Sequence, residues 1–210
     1  MYLITETIDS KDLDVICEQT EGKPRSYKIE GPFMQSQIKN LNGRIYSREL
    51  MEWEVNKYTQ EKINTKRSLG EMDHPPSPTI NLQKVSHIIE SLTMKNNDAM
   101  GSAKVLNSPC GKIAQTFLEA GIKLGVSSRG IGSLTGENVN DDYRLLAVDL
   151  VCESSAPGAY VNGLIENKEW IMDGNVFVEK AVEKLEENLA KHGSREILRD
   201  LKIFLNDIKF

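Results

Sequence analysis

Four extended runs between residues 80 and 151, punctuated by polar turns, set what this chain can become. From Ile80 to about Lys95, Val85, His87 and Ile89 fall on one face and Ser86, Ile88 and Glu90 on the other, the period of a strand. Asn96-Asn97-Asp98 is a turn and Met100 to Leu106 resumes in extended form, so the two runs make a hairpin. Val126 to Gly132 and Leu145 to Val151 read as a second strand pair, joined by the polar linker Thr135 to Asp142. Between the pairs, Ile113, Ala114, Phe117 and Leu118 have helical spacing over residues 111–121, with Gly121 as the stop.

Upstream, Tyr27-Lys28-Ile29-Glu30 alternates like a half-buried strand and Gly31-Pro32 closes it. After an Asn-rich loop containing Asn42-Gly43, Ser47 is placed to cap a helix running to about Lys62, with Glu49 in its first turn. Leu50, Met51, Trp53, Val55 and Tyr58 are expected to form its core-facing side. Residues 1–25 lack strong periodicity and read as a loosely held leader, a candidate for disorder. Residues 171–210 change character. Val178, Val182, Leu185 and Leu189 make one helical stripe, His192-Gly193 stops it, and Ser194 starts a second helix bearing Ile197, Leu198, Leu201, Phe204 and Leu205. The expected architecture is therefore α+β, with a β-rich body over 26–170 and a C-terminal helical hairpin.

Composition narrows the function. The 26 basic and 31 acidic residues are interspersed and leave a net charge of -5, so no basic stripe marks a nucleic-acid partner. No segment approaches the ~20 apolar residues of a membrane span, and the expectation is a soluble chain made in a cytoplasm, with no membrane partner. Cys17, Cys110 and Cys152 are odd in number and lack CxxC spacing, which points to buried or semi-buried free thiols rather than disulfides or a zinc site. No cofactor is implied.

Each of the three histidines can be weighed. His192 sits at a helix C-terminus, where the dipole favours an imidazolium. His87 lies between Val85 and Ile89 and reads as a satisfied core or interface histidine. His74 stands in Leu69-Gly70-Glu71-Met72-Asp73-His74-Pro75-Pro76, where the following proline biases it toward extended backbone and the second proline stiffens the exit. Fixed geometry and a pKa near neutrality suit a general base. Taken alone, the segment reads as a turn as readily as a site.

In Gly125-Val126-Ser127-Ser128-Arg129-Gly130-Ile131-Gly132 the glycines permit close backbone approach, as oxyanion stabilisation requires. On a strand Ser127 and Ser128 point to opposite faces, so at most one can attack. A Gly/Ser-rich edge strand fits the same residues. Asp149 is a carboxylate inside the apolar run Leu145 to Val151, costly to bury unless paired. An imidazole partner would account for it, and so would a solvent-facing position.

Together these segments resemble the prohead core proteases of large tailed phages, whose fold is similar to that of the herpesvirus capsid-maturation proteases. The matching stretches are Ile29-Glu30-Gly31 with Phe33-Met34-Gln35, Asn42 to Tyr46, Leu69-Gly70-Glu71 with His74-Pro75-Pro76, Gly125 to Gly130 with Gly132-Ser133-Leu134, and Ser155-Ala156-Pro157. The resemblance implies a barrel-like body with packed helices, a protease domain over 26–170, His74 as general base and Ser127 as nucleophile. It places a third, orienting residue on the following strand, taken as Asp149 with Glu153 in reserve. Arg129 and the Gly130 amide are offered as oxyanion support. It further implies cleavage after Glu in Leu/Ile-x-Glu motifs of scaffold, core and major capsid proteins, self-processing, a homo-oligomer, and a working place inside the viral prohead. Two rivals are a non-catalytic prohead core or tube-forming protein of the same fold, and a metal-dependent hydrolase built on His74, Asp73 and Glu71.

Overall fold

The computed structural model describes residues 2–8, 13–18, 25–40, 42–73, 75–152, 170–173 and 176–179. Strands β1 (Tyr2–Ile8), β2 (Asp14–Glu18) and β3 (Ser26–Gln35) come first. Helix α1 (Arg48–Tyr58) follows and continues into a π-helical turn over Thr59–Ile63. Then come β4 (Leu69–Glu71), β5 (Val85–Lys95), β6 (Asp98–Val105) and α2 (Pro109–Glu119). The chain proceeds through β7 (Leu124–Gly132), the short pair β8 (Leu134–Thr135) and β9 (Asn138–Val139), and β10 (Arg144–Cys152). A last hairpin joins β11 (Trp170–Asp173) to β12 (Val176–Glu179).

These strands build a five-stranded sheet in the order β2-β3-β6-β5-β4 and a three-stranded sheet in the order β1-β7-β10. Both expected pairings are present, β5 with β6 and β7 with β10, each antiparallel. The strand-rich α+β body is thus the expected one, but its sheets do not close into a barrel. Among the described residues the two sheets meet through a single parallel bridge, Met72 with Leu150, far short of a closed hydrogen-bond circuit. Between them lies one apolar core, in which Ile29, Met34, Ile89 and Leu92 from the larger sheet pack with Ile4, Val126 and Val148 from the smaller. α1 closes it with Leu50, Met51, Val55 and Tyr58.

Ser47 caps α1 as expected, its Oγ accepting from Leu50 N at 3.1 Å. Trp53 departs from expectation, being 65 % exposed. The buried stripe is Leu50, Met51, Glu54, Val55 and Tyr58. At 100° per residue Trp53 lies about 130° round from the centre of that stripe. Its place is taken by Glu54, whose carboxylate accepts from Leu145 N at 2.8 Å and pairs with Arg144 at 3.1 Å.

The leader is also corrected. Residues read as loosely held contribute β1 and β2, because each finds a ladder partner: β1 pairs with β7 and β2 with β3. Val178, assigned to a helical stripe, lies in β12. The rest of the expected C-terminal helical hairpin lies outside the described residues. The thiols are free, but Cys17 and Cys152 are exposed and only Cys110 is partly buried.

Candidate active site

β7 is the middle strand of its sheet and every one of its residues is buried. Its register settles which serine faces what. Ser127 stands opposite Asp149 on β10, while Ser128 stands opposite Val148 on β10 and Glu6 on β1. Directly opposed residues share a face of the sheet. Ser127, Asp149 and Arg129 therefore occupy one face, and Ser128 turns into the core. The Ser127 hydroxyl donates to the main-chain carbonyl of Glu6 at 2.6 Å.

Asp149 is fully buried and ion-paired. Its Oδ2 lies 2.9 Å from Arg129 Nε, and its Oδ1 accepts from Arg129 Nη2 at 3.1 Å and from the Glu71 amide at 3.0 Å. Arg129 Nη2 also lies 3.4 Å from Glu71 Oε2. Arg129 Nη1 donates to the carbonyls of Ser77 at 2.6 Å and Thr79 at 3.4 Å. The second Glu71 oxygen accepts from Asn81 N. Burial pushes the Glu71 carboxyl above its ordinary range, and the Asn81 amide and the Arg129 guanidinium oppose that rise.

These bonds grip the segment that carries His74. His74 itself lies outside the described residues, but the chain on either side is tied to β10 and β7. Met72 N donates to Lys84 O at 3.0 Å, which joins the two ends of the loop, and Asp73 N donates to Leu150 O at 2.8 Å. Asp73 adopts φ 70°, a left-handed conformation that is uncommon outside glycine and tends to mark functional turns.

His87 is the core histidine expected. Its Nε2 lies 2.9 Å from Val148 O and its Nδ1 2.9 Å from Ser86 Oγ, and burial lowers its pKa to about 4. Gly70 makes room for the ring, since a Cβ there would stand 2.1 Å from His87 Nε2. His192 and Glu153 lie outside the described residues.

Arg129 and Gly130, offered as oxyanion support, are both buried on β7. Of the Arg129 guanidinium, Nη1 donates to two carbonyls and Nη2 to Asp149, while Nε lies within ion-pair distance of Asp149 without a hydrogen bond. A Cβ on Gly130 would meet the Tyr143 ring at 2.3 Å, so the space this glycine leaves is filled by Tyr143 rather than open to a substrate. Sequence reasoning missed Tyr143, and it weighed Glu71 only as a metal ligand. The signal for Glu71 was available: an arginine in an apolar strand needs buried counter-charge, and Glu71 precedes His74 by one helical turn's worth of sequence. Among the described residues no three His, Cys, Asp or Glu side chains are grouped to hold a metal ion. Glu71, the carboxylate that such a centre would need, faces a guanidinium.

The family model for the prohead core protein serine proteases matches residues 5–169, and the chain belongs to that family. It is a peptidase of the kind that matures phage proheads. A curated relative, the prohead core protein protease of Enterobacteria phage T4, is 40 % identical over 165 residues, covering 74 % of each chain. The solved structure of the bacteriophage T4 capsid assembly protease superposes with a TM-score of 0.66 at 33 % identity, over 73 % of this chain and 98 % of that one.

Proposed function

We propose that the chain is a serine endopeptidase in which Ser127 is the nucleophile, His74 the general base and Asp149 the carboxylate of the site. One observation carries this: Ser127 and Asp149 are direct cross-strand partners, and the chain on both sides of His74 is bonded to those same two strands. The Ser127 hydroxyl first exchanges its bond to the Glu6 carbonyl for one to the imidazole. His74 takes the Oγ proton as Oγ bonds to the scissile carbonyl carbon, then returns it to the leaving amine as the C–N bond breaks. Water, deprotonated by the same imidazole, attacks the acyl carbon, the Oγ–acyl bond breaks to release a carboxylic acid, and the imidazolium returns its proton to Oγ. Asp149 is the carboxylate opposite Ser127 on β10, and in this reading it stabilises the imidazolium that forms.

The substrates of this reading are scaffold, core and major capsid proteins, cut after Glu in Leu/Ile-x-Glu segments inside the prohead, by a homo-oligomeric enzyme that also trims itself. Family membership and the likeness to a T4 prohead core protein protease and a T4 capsid assembly protease support the prohead setting of this reading. Replacing Ser127 by Ala should lower cleavage of a Leu-x-Glu peptide by at least ~10³-fold and abolish fluorophosphonate labelling, with an unchanged circular dichroism spectrum. A Ser127→Ala protein that still cut the peptide at the wild-type rate would remove Ser127 from the mechanism.

A further inference from the structure

The geometry points to Glu71 and Arg129 as positioning residues that clasp the His74 loop onto the nucleophile strand. This inference rests on the assignment of Ser127 and His74 above. Arg129 follows Ser127 by two residues on the same face of β7, so the rigid strand fixes the distance between guanidinium and nucleophile. From there the planar fork reaches both sides of the loop. Nη1 holds the carbonyls of Ser77 and Thr79 beyond His74, and Nη2 meets the carboxylate of Glu71 before it. Glu71 is engaged twice more, through its amide to Asp149 and its carboxylate to Asn81 N. One cation thus organises two carboxylates and two carbonyls, which a lysine, with its compact head, does not do.

Stability alone does not call for this arrangement. All three charged side chains are fully excluded from solvent, and buried ion networks gain little over apolar packing of the same volume once desolvation is counted. What the network supplies is a fixed place for a loop whose described residues between Met72 and Lys84 form only bends and turns. A base displaced by about 1 Å from its nucleophile loses on the order of 10²-fold in rate.

The test compares full-length wild type, Arg129→Met, Glu71→Gln and Ser127→Ala by the rate of fluorophosphonate labelling from pH 5.5 to 9, corrected for the folded fraction. Amide exchange at Met72 and Asp73 is followed in parallel. Arg129→Met should label ~100-fold more slowly and Glu71→Gln ~10-fold more slowly, with faster exchange at both amides. The rise in labelling that a histidine base confers with pH should flatten in both. A purely structural role would lower the amount of folded enzyme and leave the profile's shape intact. Should Arg129→Met fail to fold, Glu71→Gln decides. Folded variants that label at the wild-type rate with the wild-type profile overturn the clasp, while an unlabelled Ser127→Ala leaves the nucleophile assignment standing. Labelling that persists in Ser127→Ala sinks that assignment, and the clasp with it.

Discussion

Glu6 lies on the core face of β1, opposite Ser128, and its Oε2 makes no hydrogen bond among the described residues. Oε1 accepts only a long bond from Gln35 N at 3.4 Å. Burial raises this carboxyl from 4.5 to about 8, so in the fold it is protonated at pH 7 while in the unfolded chain it is ionised. At about 1.4 kcal/mol per pH unit, ionising Glu6 in place costs on the order of 5 kcal/mol. Above pH 4.5 the folded state binds one more proton here, and stability falls with rising pH until the folded group itself ionises near 8. His87 acts with the opposite sign. Lowered from 6.5 to about 4, it is neutral in the fold and protonated in the unfolded chain between those values, so its contribution grows as pH rises to 6.5 and is lost as pH falls toward 4. The two slopes cancel from pH 4.5 to 6.5, and above that the Glu6 slope is no longer opposed by His87. Wild type should therefore lose roughly 2 kcal/mol between pH 6.5 and 8 from this group, and Glu6→Gln should not. Glu71, also raised, slopes the same way but is common to both proteins, so their difference isolates Glu6. Urea unfolding of the two chains at half-unit pH intervals reads the difference directly. Parallel curves from pH 6.5 to 8 would show that Glu6 is ionised in the fold and that the reasoning fails.

Gly130→Ala should cost about 3 kcal/mol in the same unfolding assay, because the new Cβ meets the Tyr143 ring at 2.3 Å in the interior of β7. Trp53→Ala should change stability by less than about 0.5 kcal/mol, whereas Met51→Ala, on the buried stripe of the same helix, should cost roughly 2–5 kcal/mol. Ser47→Ala removes the acceptor of the Leu50 amide and should lower stability by about 1 kcal/mol, measurable by thermal denaturation.

The two central strand pairs were legible because Val85 to Glu90 alternates, the other three runs are extended and rich in apolar residues, and polar turn residues bound them. β4 was not, since three residues from Leu69 to Glu71 hold too little sequence for any period to show. β1 and β2 were misread for a different reason. Their local pattern is weak, and they are strands because β7 and β3 offer them ladders, which is information held elsewhere in the chain. In the site, the alternation rule established that Ser127 and Ser128 diverge, but only the register across β10 and β1 says which one meets Asp149. Arg129 was visible as an arginine among glycines, yet its partners come from three separate segments and no spacing rule joins them. At Gly130 a missing Cβ signals close approach, and what approaches is Tyr143.

Ser127 sits on an interior strand whose outer neighbour is β1, laid down by the first eight residues. Seven registered pairs join the two strands, from Tyr2 with Gly132 to Ile8 with Val126. A chain shortened past Ile8 would lose the Glu6 carbonyl that accepts the Ser127 hydrogen bond and leave one side of β7 with open donors and acceptors. An extended peptide added there as a strand would lie beside the Ser127 hydroxyl. Strand β1 is in this sense part of the setting of Ser127, and a truncation that removes it alters that setting.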